Sequence, residues 1–314
     1  MGSTTQPRLP VIDLSSKNLN LNSSSWVTKC DEVRLALEEY GCFMAVYDGV
    51  SEELRDAMFL ASQELFNLPT QVKVSNVVDT PYNGYIGQQP MVPLYESLGI
   101  ENVTTKEGVE SFTKLMWPSG NQSFCDNTLM YSNAVAKLDQ IVMKMVAKSY
   151  GIEEHYESMR GSTTYLLKPT KYLSAQGNEE MLGILPHTDK CFMTYLYQDE
   201  VNGLEILAKN GEWFEVDYSS PSSFVVMAAD AFMAWTNGRV ESPTHRVMMK
   251  GKKDRYVLGL FANIKDYIIE SPQQLLDENH PLQFKPFDNY KYMNFYYTPE
   301  GSTSECPLKT YCGI

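Results

Sequence analysis

The chain of 314 residues carries 39 acidic and 26 basic side chains, a formal charge of −13, and is 43% hydrophobic. That composition supports a sizeable buried core and excludes global disorder, and the lack of any basic block argues against nucleic acid and anionic membranes as partners. No stretch approaches the roughly eighteen apolar residues of a membrane span, and the opening MGSTTQPRLPVIDL has no signal-peptide pattern.

In chain order, residues 26–39 and 51–66 read as amphipathic helices, the second opening with Ser51 as N-cap. Between them CFMAVY (42–47) reads as a buried strand ended by Asp48-Gly49. The longest helix is expected over 126–150, where Leu138, Ile141, Val142, Met145 and Val146 recur at three-to-four spacing before Gly151 stops it. After Gly161 the character changes. TTYLL (163–167), FMTYLY (192–197), GLEIL (203–207), EWFEV (212–216), SFVVMA (223–228), HRVMM (245–249) and RYVLGLFA (255–262) are short β-rich segments separated by turns such as Asn202-Gly203 and Asn210-Gly211. Strands at this spacing predict an antiparallel sandwich or barrel. The expectation is an α+β protein, a helical part over 1–150 supporting a β-rich part over 151–314, with a short helix near 271–277 and an aromatic-rich tail. The six cysteines are scattered without a C-x-x-C pair, as reduced cytoplasmic thiols would be, with Cys306–Cys312 the minority option for a disulfide.

The chain has only four histidines, and one lies in LPHTDK. On an extended backbone His187 and Asp189 face the same side, so both can reach one ion while Thr188 turns away. An H-x-D pair alone is a weak signal. His155 and His280 read as solvent-facing; His245, opening HRVMM after Pro243 at the mouth of a predicted sheet, is the best third ligand. Two histidines and a carboxylate form the facial set of non-haem Fe(II) oxygenases, with zinc as the rival. Arg255, ten residues on, opens an otherwise apolar strand and must be paired if buried. Its partner is either an internal carboxylate or the carboxylate of a bound co-substrate, for which a planar fork is suited. Beside the His/Asp/His set the second reading is favoured.

These residues sit in a wider pattern. LPVIDLS, EEYGCFMAVYDGVSEEL, LPHTDKCFMTYLYQDEVNGLEI, TNGRVESPTHRV and RYVLGLF together resemble the plant 2-oxoglutarate- and Fe(II)-dependent dioxygenases along nearly the whole chain, and 55 residues lie between Asp189 and His245 as that family spaces them. FNLPTQVK, PYNGYIG, PLYESLGI and PLKTYCGI look most like the AOP-like branch acting on glucosinolate side chains, with relatives that hydroxylate alkaloids and steroidal glycosides. The resemblance implies a double-stranded β-helix (jelly-roll) core and iron held by His187, Asp189 and His245. It implies Arg255 on the distal carboxylate of 2-oxoglutarate and Tyr165 bonded to the same co-substrate. It further implies O2 as oxidant, ascorbate as a supporting reductant, succinate and CO2 as products, and a hydroxylated small plant metabolite. Three departures stand out: the usual R-x-S is Arg255-Tyr256-Val257, the asparagine two places before Tyr165 is Thr163, and Asn-His-Gly is Tyr47-Asp48-Gly49. Val257 at the co-substrate position predicts weakened 2-oxoglutarate affinity, because one hydrogen bond of about 1 kcal/mol is lost.

Candidate substrate-wall residues are Tyr82, Tyr85, Tyr95, Phe112, Trp117, Lys190, Phe295, Tyr296 and Tyr297, each of which also fits ordinary packing. Aromatic walls suit a sizeable, mostly apolar substrate. Asp230 and Arg239 read as holders of turns. The working expectation is a cytoplasmic, monomeric oxygenase; the alternatives are a catalytically silent metabolite-binding relative, a desaturase or demethylase outcome of the same chemistry, and a zinc hydrolase.

Overall fold

Ser51 shows how the local sequence sets the helical part: its hydroxyl accepts from the Leu54 amide, so the chain turns into a helix at the next residue. The computed structural model describes residues 8–19, 24–81, 83–175, 179–218 and 222–314. Up to residue 159 these form β1 (Val11–Asp13), α1 (Ser24–Tyr40), β2 (Cys42–Val46), α2 (Glu52–Phe66), α3 (Thr70–Lys73), β3 (Tyr95–Ser97), β4 (Ile100–Glu101), α4 (Lys106–Met116), α5 (Gln122–Tyr150) and α6 (Glu153–Met159). Gly151 ends α5 at φ 69°, a left-handed cap that costs glycine little. There follow β5 (Thr163–Tyr172), β6 (Met181–His187), β7 (Met193–Gln198), β8 (Leu204–Leu207), β9 (Trp213–Glu215), β10 (Ser223–Ala228), α7 (Asp230–Trp235), β11 (His245–Met249) and β12 (Arg255–Ile264). The tail holds β13 (Ile268–Ile269), β14 (Phe287–Asp288), α8 (Asn289–Tyr296), α9 (Pro299–Thr303) and α10 (Pro307–Cys312). The short helix expected near 271–277 is a single 3-10 turn, Gln273–Leu275.

Two sheets make the β core. The larger runs β1-β2-β10-β7-β12-β5-β3 with β4 on β5, and the smaller runs β6-β11-β8-β9. All pairings are antiparallel except β1 with β2. Strands from the first 150 residues are thus members of the same large sheet as those that follow.

Strand alternation divides the interior in two. On β12, Leu258, Leu260 and Ala262 face outward into a cluster with Leu138, Val142 and Met145 of α5 and Leu37 of α1, the sheet–helix layer. Val257 faces inward, into a smaller cluster with Tyr172, Val247, Met249, Ile206 and Phe214 between the two sheets. All six cysteines are free thiols, five of them buried. No helix among the described residues is long and apolar enough to cross a membrane.

Candidate active site

His187 ends β6 and His245 begins β11, and the two are cross-strand partners in the smaller sheet with ring centroids 4.3 Å apart. The Nδ1 of His187 lies 2.8 Å from the Leu185 carbonyl and that of His245 lies 3.1 Å from the Pro243 carbonyl. A carbonyl can only accept, so each Nδ1 carries the proton and each Nε2 keeps its lone pair. Both Nε2 atoms point at Asp189, whose Oδ1 is 3.8 Å from one and 3.9 Å from the other. Its Oδ2 is engaged elsewhere, accepting from the Thr194 hydroxyl at 2.6 Å. Three donor atoms therefore converge, all within 4.8 Å of one another, the one such group among the described residues.

The electrostatics favour the ligand-ready forms. Burial and the neighbouring His245 push His187 down to about 4, so its imidazole is neutral near pH 7. Burial pushes Asp189 upward, but the two imidazoles, Thr194 and Lys190 outweigh it and hold the carboxyl below its ordinary range. Two imidazole nitrogens and one carboxylate oxygen suit a divalent iron site with open positions. The His187 side chain is 27% exposed, so the cluster is reachable from that side.

Arg255 lies on the inner face of the large sheet and is 1% exposed. Its Nε donates to the Val201 carbonyl at 3.1 Å and a terminal nitrogen donates to Gln198 Oε1 at 2.6 Å, and its guanidinium lies over the Tyr172 ring at 5.2 Å. No carboxylate among the described residues lies within ion-pair distance of it. The internal-carboxylate alternative therefore falls. Asp199 feels the guanidinium without pairing with it; a buried cation whose direct contacts are neutral oxygens and a π face is suited to receive an anion.

The model of the 2OG-Fe(II) oxygenase superfamily matches residues 156–264, and that of the N-terminal region of non-haem dioxygenases in morphine synthesis matches 9–116. A probable 2-oxoglutarate-dependent dioxygenase of Arabidopsis thaliana, AOP1.2, is 40% identical over 98% of this chain and 96% of its own. The chain belongs to the 2-oxoglutarate/Fe(II)-dependent dioxygenases. Within that family it falls in the AOP-like plant branch, for AOP3 of the same plant is 32% identical over 100% of this chain and 99% of its own. A crystal structure of the dioxygenase for auxin oxidation in rice superposes with a TM-score of 0.82 at 27% identity, covering 98% of this chain and 100% of that one. The jelly-roll fold, the oxidoreductase class and the use of Fe(II) and 2-oxoglutarate come with the family.

As a dioxygenase the chain departs from several residue expectations. Tyr165 is on the wrong face of β5. Its hydroxyl donates to Asp139 of α5 at 2.7 Å in the sheet–helix layer, away from Arg255. Tyr172, seven residues on and so on the opposite face, is the tyrosine directly across from Arg255. Gly183 of β6 makes room for it, since a Cβ there would lie 2.9 Å from the Tyr172 ring. Thr170, two places before Tyr172 and cross-strand from Val257, takes the position first given to Thr163.

The wall candidates divide in the same way. Phe112 and Trp117 pack on Phe124 of α5, with centroids 5.9 and 4.7 Å away, and belong to the sheet–helix layer rather than to the interior of the barrel. Phe295 packs on Tyr311 at 5.0 Å, and the Tyr85 hydroxyl donates to Glu96, which also meets Lys73. Tyr95 does face inward, edge-on to Tyr172 at 5.5 Å. Lys190 is no free cavity cation: its Nζ is 2.9 Å from Asp230 and 2.6 Å from the Thr188 hydroxyl, under the Tyr296 ring at 4.5 Å, with Tyr297 stacked edge-on beyond. Tyr82 lies outside the described residues. Sequence reasoning missed Gln198 and Tyr172; a register of β5 against RYVLGLFA would have found the second.

Proposed function

We propose that His187, Asp189 and His245 hold the Fe(II) and that Arg255 and Tyr172 receive the distal carboxylate of 2-oxoglutarate, with Val257 beside them on the same inner face. On this reading the substrate is a small, mostly apolar plant specialised metabolite and the outcome is its hydroxylation. The observation that carries it is the pairing of one convergent His/Asp/His set with a buried arginine on the facing sheet that has no carboxylate at ion-pair distance among the described residues. The bound iron supplies O2 activation coupled to conversion of the keto acid to succinate and CO2. The protein's part is orientation and exclusion of water. The Leu185 and Pro243 carbonyls fix the imidazole tautomers, and Thr194 holds one carboxylate oxygen so that the other is presented. Gln198 and Val201 hold the guanidinium in place before any anion arrives.

The resemblance to a dioxygenase for auxin oxidation supports a small plant molecule as substrate, and Tyr95, Tyr296 and Tyr297 are the aromatic groups proposed for its walls. We further read the chain as a cytoplasmic monomer, to which the free thiols are suited. The test is succinate release from 2-oxoglutarate with Fe(II) and ascorbate, alongside a mass-spectrometric screen of plant extracts for products heavier by one oxygen. Succinate release that persists unchanged in His187→Ala would refute the metal assignment.

A further inference from the structure

Val257 leaves the co-substrate pocket short of one hydroxyl, and the β9–β10 connection brings another against the inner cluster that holds Val257. Tyr218 lies on that connection and packs against the inner cluster that holds Val257, Tyr172 and Cys42. Its hydroxyl is buried and has no hydrogen-bond partner among the described residues. A buried phenol without a partner is unfavourable and calls for a ligand or a water to satisfy it. Burial raises its pKa while the Arg255 guanidinium opposes the rise, so the hydroxyl lies within the electrostatic reach of that cation.

The other unpartnered buried hydroxyls are less well placed. Thr128 and Ser132 sit on α5, in the layer outside the sheet. Ser97 is separated from Val257 by a whole strand, with Thr170 between them in the cross-strand row. Thr170 itself already donates to the Lys168 carbonyl.

We propose that the Tyr218 hydroxyl donates to the distal carboxylate of 2-oxoglutarate beside Arg255, in place of the hydroxyl missing at position 257. The proposal rests on the reading of Arg255 given above. A phenol arriving from a loop can do what a serine on the strand does elsewhere in the family, because the acceptor is an anion and needs only a second donor beside the guanidinium.

The experiment is anaerobic titration calorimetry of 2-oxoglutarate into the Fe(II)-loaded protein, with Fe(II) affinity and the melting temperature of the unliganded protein measured in parallel. Tyr218→Phe is expected to weaken 2-oxoglutarate binding about ten- to hundredfold. Fe(II) affinity is expected to stay unchanged, and the unliganded melting temperature to stay level or rise, since the hydroxyl removed had no partner. Val257→Ser is expected to restore most of the affinity in the Tyr218→Phe background and to add much less to the wild type. Equal 2-oxoglutarate affinity in wild type and Tyr218→Phe overturns the proposal alone. A loss that Val257→Ser does not restore overturns the assignment to the distal carboxylate. No binding by the wild type overturns the reading of Arg255 and this proposal with it.

Discussion

Arg255 is held at a cost in the empty protein, because two neutral oxygens and an aromatic face replace only part of the hydration of a guanidinium. Arg255→Gln should therefore leave the unliganded protein as stable as before or slightly more so. The same change should weaken 2-oxoglutarate by about 2–4 kcal/mol, the usual loss when one member of a buried charge pair is removed. Calorimetry and a denaturation curve on the same sample test both signs; weaker folding with unchanged binding would make Arg255 purely structural. Tyr165 and Tyr172 offer a second comparison. Both follow a Thr-x pair on β5, and local sequence does not distinguish Thr163-Thr164-Tyr165 from Thr170-Lys171-Tyr172. Only strand parity and the register against Arg255 separate them, and both are long-range properties. Tyr165→Phe should cost roughly 1–3 kcal/mol of stability by removing a donor from buried Asp139, with 2-oxoglutarate affinity unchanged. Tyr172→Leu should instead reduce that affinity.

At the scale of elements, the turn that carries His187 and Asp189 is tied to α8 rather than to its own sheet alone. The Lys190 ammonium bridges Thr188 and Asp230, Asp230 also accepts from Tyr292 of α8, and Asn289 donates to the Lys190 carbonyl at 3.0 Å. Lys190→Met leaves a buried carboxylate with one donor fewer and should destabilise by about 3 kcal/mol. It should also lower Fe(II) affinity, because Thr188 lies between the two proposed ligands His187 and Asp189. A chelator competition beside urea denaturation would separate the two effects, and metal affinity equal to wild type would show that the turn is fixed by its sheet. Elements with strong periodicity were legible: α1, α2, α5 and the inner strands of the large sheet fall where apolar spacing puts them. β6 was not, since Gly183 and Pro186 interrupt it and only one of its residues is fully buried, at a sheet edge where proline is tolerated. The tail helices were hidden because their aromatic side chains pack on one another and give no long apolar period.

At the scale of the whole molecule, the helical layer and the large sheet meet around one acid. Asp139 of α5 accepts from Tyr165 of β5 at 2.7 Å and from Tyr195 of β7 at 2.8 Å, so three elements share one carboxyl group. Burial raises it to about 6, and the two hydroxyls only partly oppose the rise. Its unfolded value is near 3.9, so between the two values the folded chain binds a proton that the unfolded chain has released. The stability it contributes is thus fully present below about pH 4 and is lost as pH rises through about 6, a total of about 3 kcal/mol. Asp139→Asn cannot titrate. The stability of wild type relative to Asp139→Asn, from urea curves, should fall by about 2 kcal/mol between about pH 4.5 and pH 7.5. A difference that stays flat, or that grows with pH, would mean that the two tyrosines keep this carboxylate charged throughout. The helix–sheet joint would then be ionised across the whole range instead of taking up a proton below about pH 6.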